Sequence, residues 1–125
     1  MKNTCLVSIK HHERYYLIFT FQGILTAKEA TKAITEWKKL FEEKKNEKFT
    51  LIFHALEMTD YEPLARTSWQ KTIVELSGQI ENIWVVTTSK LIMAGAKIMS
   101  MFTSFSIKTV STEDKVYQYY AEQAA

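Results

Sequence analysis

Two hydrophobic rhythms alternate along the chain. Residues 4–9 and 14–22 are dense in β-branched and aromatic side chains, most clearly in Tyr15-Tyr16-Leu17-Ile18-Phe19-Thr20-Phe21. Such side chains suit a pleated surface, so both segments are expected to be strands. The polar break between them, His11-His12-Glu13, is short enough for an antiparallel hairpin. From residue 27 to 44 the period changes. Ala30, Ala33, Ile34, Trp37, Leu40 and Phe41 recur at helical spacing, with lysines and glutamates on the other side. That pattern predicts an amphipathic helix. Thr26-Ala27-Lys28-Glu29 has the T-x-x-E form of a capping box and marks its start.

Residues 49–53 (FTLIF) and 83–86 (IWVV) are continuous apolar runs. They predict central parallel strands buried on both faces. Between them, residues 63–77 form a helical pattern with Ala65, Trp69, Ile73 and Leu76 on its inner side. Gly78 follows, where a helix C-terminus favours glycine. A third helix is expected over about 90–104 and a fifth strand over 107–110. The last helix begins after Ser111 or Thr112, with Glu113 and Asp114 in its first turn, where the helix dipole favours negative charge. The order β-β-α-β-α-β-α-β-α predicts an α/β fold. Its sheet has five strands, mostly parallel, with an antiparallel N-terminal hairpin and about four helices on right-handed crossovers. One Pro, three Gly and no linker, repeat or low-complexity tract point to a single domain over residues 1–125.

Composition narrows the partners. A net charge of +2 is too small to argue for nucleic acid, and the lysines of Lys38-Lys39-Leu40-Phe41-Glu42-Glu43-Lys44-Lys45 are mixed with glutamates, as on a solvated helix end. The single cysteine, Cys5, excludes an internal disulfide and fits a reducing compartment. It reads as a small buried hydrophobe in the first strand. No apolar run approaches the roughly 18 residues of a membrane span, and the start lacks a signal-peptide core. The expectation is a cytoplasmic protein with no stable membrane insertion.

Candidate chemistry is concentrated in Phe53-His54-Ala55-Leu56-Glu57-Met58-Thr59-Asp60-Tyr61-Glu62-Pro63. It reads as an acidic loop leading from a strand into a helix. His54, Glu57, Asp60 and Glu62 are of the right types for acid–base catalysis or metal ligation. The loop also leaves the carboxyl end of a parallel strand, where open α/β sheets bind ligands. The structural alternative is preferred. Asp60 or Glu62 caps the following helix, and Pro63 belongs in its first turn. No nucleophile–base pair, H-x-x-x-H, C-x-x-C or glycine-rich phosphate cradle accompanies the loop, so no catalytic residue, metal or cofactor is expected. His11-His12 reads as polar turn residues, since neighbours on a strand point to opposite faces. Gly95, alone inside the third helix, reads as a close-packing position.

The element order is that of the STAS domain, the fold of anti-sigma-factor antagonists and of sulfate-transporter cytoplasmic tails. The segments MTDYEPLARTSWQ (Met58 to Gln70), NIWVVTTSKLIMAGAKIM (Asn82 to Met99) and FTSFSIKTVST (Phe102 to Thr112) sharpen the match. By them the chain resembles the SpoIIAA-like branch of STAS-related proteins, which is grouped loosely with the CRAL-TRIO lipid-transfer fold. In STAS antagonists the loop after the third strand carries a phosphorylatable serine, usually as Asp-Ser-Ser-Gly. Here that loop has neither serine nor glycine. Thr59 is the remaining phospho-switch candidate, flanked by Asp60 and Glu62, whose carboxylates would repel an added phosphate. The resemblance therefore implies a STAS-like module without the usual switch.

On a helical wheel, Leu91, Ile92, Gly95, Ala96, Ile98, Met99, Phe102 and Phe105 span one broad arc, widened by Ala94 and Met101. Lys97, Ser100 and Ser104 form a narrow polar strip, with Met93 among them. The arc is roughly twice the stripe of about 100° that covering a sheet requires. Another helix of the chain, a second subunit or a lipid-like ligand must cover the excess. The reading that follows is a non-enzymatic regulatory or protein-interaction module, with a protein partner or a homodimer. Its surface comprises Met58, Tyr61, Ile92, Met93, Ala94, Met101, Phe102 and Phe105. The alternative is binding of a small apolar or lipid-like ligand.

Overall fold

A hairpin opens the chain. β1 (Thr4–His11) and β2 (Arg14–Leu25) pair antiparallel from Thr4 opposite Phe21 to His11 opposite Arg14. The structure, a computed structural model, describes residues 4–124. Only His12 and Glu13 separate the strands, and both adopt left-handed conformations, with φ of 49° and 66°. A two-residue turn needs this twist and usually takes it from Asn-Gly. The left-handed His12 also breaks strand alternation. The two imidazoles therefore meet edge to face at 4.2 Å instead of pointing to opposite faces.

The remaining elements are α1 (Ala27–Glu43), β3 (Phe49–Tyr61), α2 (Pro63–Glu75), β4 (Ile80–Val86), α3 (Lys90–Phe102), β5 (Lys108–Val110) and α4 (Asp114–Ala124). The sheet runs β1-β2-β3-β4-β5, parallel except for the first pair, and gives the α/β fold expected from the element order. Thr26 Oγ1 accepts the Glu29 N–H at 3.1 Å and caps α1 as the T-x-x-E pattern implies.

Strand alternation divides the interior into two cores. Leu17, Phe19 and Phe21 of β2, with Leu51 and Phe53 of β3, face α1, α2 and α3. Tyr16, Ile52, Trp84 and Val86 face the opposite way, towards Val116 of α4. Central strands buried from both sides explain the unbroken apolar runs at 49–53 and 83–86. Cys5 lies on the α4 side but near the sheet's β1 edge, which α4 does not cover. It is exposed, contrary to its reading as a buried hydrophobe.

Two element ends also differ from the sequence pattern. α2 stops at Glu75 and passes into a 3-10 turn, Ser77–Gln79, so Gly78 lies in that turn rather than in a left-handed cap. α3 stops at Phe102 rather than running through 104, because hydroxyls capture the chain. Ser100 Oγ accepts the Ile107 N–H at 3.0 Å, and Thr103 Oγ1 accepts the Phe105 N–H at 3.3 Å.

α4 is seated by tyrosines. Tyr120 Oη accepts from Trp84 Nε1 at 2.9 Å, and Tyr117 Oη donates to Glu113 at 2.8 Å. Burial first, then that bond and the Glu113 charge, raise the Tyr117 phenol well above its ordinary value. A raised folded-state pKa favours the protonated form. Its contribution is complete below the unfolded value, about 10, and is lost as pH rises from there towards the folded value. Urea titrations at pH 8 and 11 should therefore show a larger alkaline loss for wild type than for Tyr117→Phe. Equal losses would refute the linkage.

Candidate functional site

The acidic segment read as a loop is strand. β3 continues through residues 54–61 and pairs with the end of β2: Gln22 opposite Glu57, Gly23 opposite Met58, Ile24 opposite Asp60 and Leu25 opposite Tyr61. Two register irregularities interrupt the ladder, and Thr59 is skipped at the second. Gly23, at φ +69°, gives β2 the local backbone that such a break requires. These breaks hide the strand from its sequence, because inward and outward residues no longer alternate strictly.

The three carboxylates of this segment each accept a hydrogen bond. Glu57 accepts from Gln22 Nε2 at 3.2 Å, and Asp60 Oδ1 accepts from the Tyr61 N–H at 2.8 Å. Glu62 is the N-cap residue of α2 but makes no side-chain cap there. Its carboxylate instead accepts the Ala27 N–H at 2.6 Å, at the start of α1. Neither acid therefore caps α2 through its side chain, contrary to the expectation from the sequence. The reason is tertiary: the end of β3 lies beside the end of β2, which brings Glu62 to the free N–H groups of α1. Alternation from Phe53 and Ala55 turns half-buried His54 to the α4 side of the sheet. Among the described residues no three His, Cys, Asp or Glu side chains form a group that could hold a metal. Thr59 is exposed on the strand, four residues before α2 begins.

A cavity of about 60 Å³ lies under α2 and α3 at the carboxyl ends of β2, β3 and β4. Its walls include Phe21, Phe53, Met58, Tyr61, Trp69 and Ile92, and Arg66 is the one charged residue among the lining side chains. Gly95 forms part of the wall because Tyr61 presses against it. A Cβ on Gly95 would stand 2.8 Å from Tyr61 Oη, inside any ordinary contact distance. The close packing expected of this glycine is thus against the last residue of β3.

The structure brings Met58, Tyr61 and Ile92 together at this cavity. It sends Met93, Ala94, Met101 and Phe102 outward instead. Phe105 lies beyond α3 and packs half-buried against the larger core, so it is not part of the helix surface. On the outside, Leu91, Ala94, Ile98, Met101 and Phe102 fall within about 100° of arc. Met101 is 75% exposed and Phe102 61%. Arg66 and Trp69 were not singled out from the sequence as site residues. Their i,i+3 spacing, which puts an arginine on the edge of a buried tryptophan face, was the available signal.

A second groove, of about 520 Å³, lies between the hairpin turn and α4, beside His11, Arg14, Tyr16 and Tyr117. It is larger, but its charged group is already partnered. Arg14 pairs with Glu81, donates to Thr50 Oγ1 at 3.2 Å and stacks 3.8 Å over the Tyr120 ring. The smaller cavity is the better ligand candidate for that reason.

Comparison with known proteins agrees with this geometry. A family model described as SpoIIAA-like matches residues 16–117. Among solved structures, an uncharacterized protein with a SpoIIAA-like fold from Shewanella loihica PV-4 superposes with a TM-score of 0.75 at 11% identity, covering 95% of this chain and 94% of that one. No curated protein matches the chain significantly.

Proposed function

The chain belongs to the SpoIIAA-like family, and from that premise we propose that it is a non-enzymatic regulatory module that binds a protein, either a second copy or another chain. The observation that carries this reading is the outer face of α3. Leu91, Met101 and Phe102 are exposed together on one arc, with Met93 exposed beyond its edge, on a helix that carries two lysines and no acid. Exposed apolar surface gathered on one element favours association, and methionines suit an adaptable contact. Met58 and Tyr61, on the strand end beneath α3, extend the surface towards the cavity. The carboxylates of the segment that holds Thr59 disfavour a phosphate there, so control by partner occupancy suits this module better than a phospho-switch.

Ala94 lies within the outer arc and is itself exposed, so Ala94→Glu tests the reading without disturbing the core. Light scattering and pull-down should show association by wild type and at least a tenfold loss in the variant, with melting temperature unchanged. A charge set into an apolar contact supplies a penalty of that order. A wild type that stays monomeric and retains no partner would end the proposal.

The cavity favours a second reading, binding of a small apolar ligand. No helix among the described residues is long and apolar enough to cross a membrane. The cavity's volume lies far below the roughly 300–1,000 Å³ of drug-sized sites, so any apolar ligand it encloses is short.

A further inference from the structure

The two edges of the sheet are built differently. β5 is three residues long and opens on Lys108, so it offers little to another strand. β1 is eight residues long and pairs with β2 without a register break. From Thr4 to Ile9 it has no charge, no proline and no bulge, the devices by which soluble sheets blunt an edge. Among the described residues β2 is its only strand neighbour.

The hairpin turn fixes which backbone groups face outward. In a two-residue hairpin the residues flanking the turn form a hydrogen-bonded pair, and such pairs alternate with non-bonded ones along the ladder. His11 and Arg14 flank this turn. His11, Ile9, Val7 and Cys5 therefore bond to β2, while Lys10, Ser8, Leu6 and Thr4 aim their N–H and C=O groups at the open edge. Leu6 packs on the larger core and Ile9 on the smaller one, so alternation sets Cys5 and Val7 on the α4 side. Both are uncovered there, and Val7 is 48% exposed.

We propose that β1 is the docking edge for a second copy of this chain, joined antiparallel so that two five-stranded sheets become one. A second copy fits for a geometric reason. A two-fold axis through Val7 sets Leu6 opposite Ser8 and Thr4 opposite Lys10 across the two chains, so outward residues meet only outward residues. Val7 meets its own counterpart and Cys5 meets Ile9, which gives both exposed side chains apolar neighbours. The one lysine of the strand faces a threonine rather than a second lysine. α3 joins β4 to β5 at the far side of the sheet, so its outer face stays free and the two surfaces are independent.

Light scattering on charge-swapped chains tests the pairing. Wild type should dimerise. Val7→Lys and Val7→Glu each set like charges face to face and should weaken self-association by about tenfold or more. An equimolar mixture of the two variants should recover it as a mixed dimer. Val7 is exposed, so the circular dichroism of each variant alone should stay native. Residues in a non-hydrogen-bonded cross-strand pair stand about 4.5 Å apart at Cα, within reach of a disulfide. The double variant Cys5→Ser, Val7→Cys should therefore become a covalent dimer with oxidised glutathione. Wild type should not, because its two Cys5 residues would lie about 13 Å apart along the strands. A wild type that stays monomeric at its solubility limit, a dimer indifferent to both Val7 charges, or a Val7→Cys chain that fails to cross-link would overturn the proposal. A dimer lost in Ala94→Glu but kept in Val7→Lys would overturn it too and put the contact on α3.

Discussion

Trp69→Ala is expected to destabilise the protein by about 3–5 kcal/mol, the range for removing a large aromatic from a packed core. Trp69 joins α2 to the sheet. Its ring lies 5.3 Å from Phe19, 5.4 Å from Phe21, 5.8 Å from Phe53 and 5.4 Å from Trp37 of α1, measured between centroids. The substitution leaves a void where α2 meets β2, β3 and α1, and aromatic neighbours around it cannot collapse readily. Trp69→Phe should behave differently. It loses one ring of burial but also removes a buried N–H that has no acceptor. These effects oppose each other, so the loss should stay below about 1.5 kcal/mol. Urea unfolding of both variants separates these expectations. An alanine variant within about 1 kcal/mol of wild type would mean that α2 does not depend on this contact.

Arg14→Ala is the second large effect, expected at about 2–3 kcal/mol. Arg14 begins β2 and touches three other elements: Thr50 on β3, Glu81 on β4 and Tyr120 on α4. Thr50 is fully buried, so losing its charged donor matters more than losing the half-exposed Glu81 pair. Arg14→Lys should restore little, since an ammonium cannot stack flat on Tyr120 while its charge reaches Thr50 and Glu81. Chemical denaturation of the two variants gives the comparison. Full recovery with lysine would show that charge alone, rather than guanidinium geometry, holds the sheet to α4.

Gly95 and Tyr61 connect the stability argument to the cavity. Gly95→Ala gains helix propensity but must displace the Tyr61 hydroxyl, so stability should change by less than about 1 kcal/mol. The Tyr61 hydroxyl is the end of a side chain and can move, so a markedly larger loss in urea unfolding would mean that the ring is held in place.

Periodicity carried most of the architecture. The stripe Ala30, Ala33, Trp37 and Phe41 is the buried face of α1, and Ala65, Trp69 and Ile73 are buried on α2. The runs FTLIF and IWVV are the doubly covered strands. These features are local, and each is a direct imprint of which side of an element is dry. The family followed from three segments that fall entirely within the matched residues 16–117.

The candidate site was only half legible. Met58, Tyr61 and Ile92 do meet at the cavity, but the strand bearing the first two was hidden by its bulges. The cap assigned from Asp60 or Glu62 to α2 failed because Asp60 accepts the Tyr61 N–H and Glu62 accepts the Ala27 N–H of α1, 35 residues away in sequence. Phe105 left the helix face because Thr103 and Ser100 hydroxyls took over the backbone at its end. Cys5 is exposed because a helix covers only part of a sheet, and sequence does not say which part.

By itself the sequence determined the alternation of strands and helices, the apolar stripes and the excess of apolar residues on α3, because burial periodicity is written residue by residue. Tertiary structure alone decided that Glu62 serves a different helix from the one it precedes and that Tyr61 rests on Gly95 beside a cavity. Those facts depend on which chain ends lie side by side in space, and no pattern within a single segment encodes that neighbourhood.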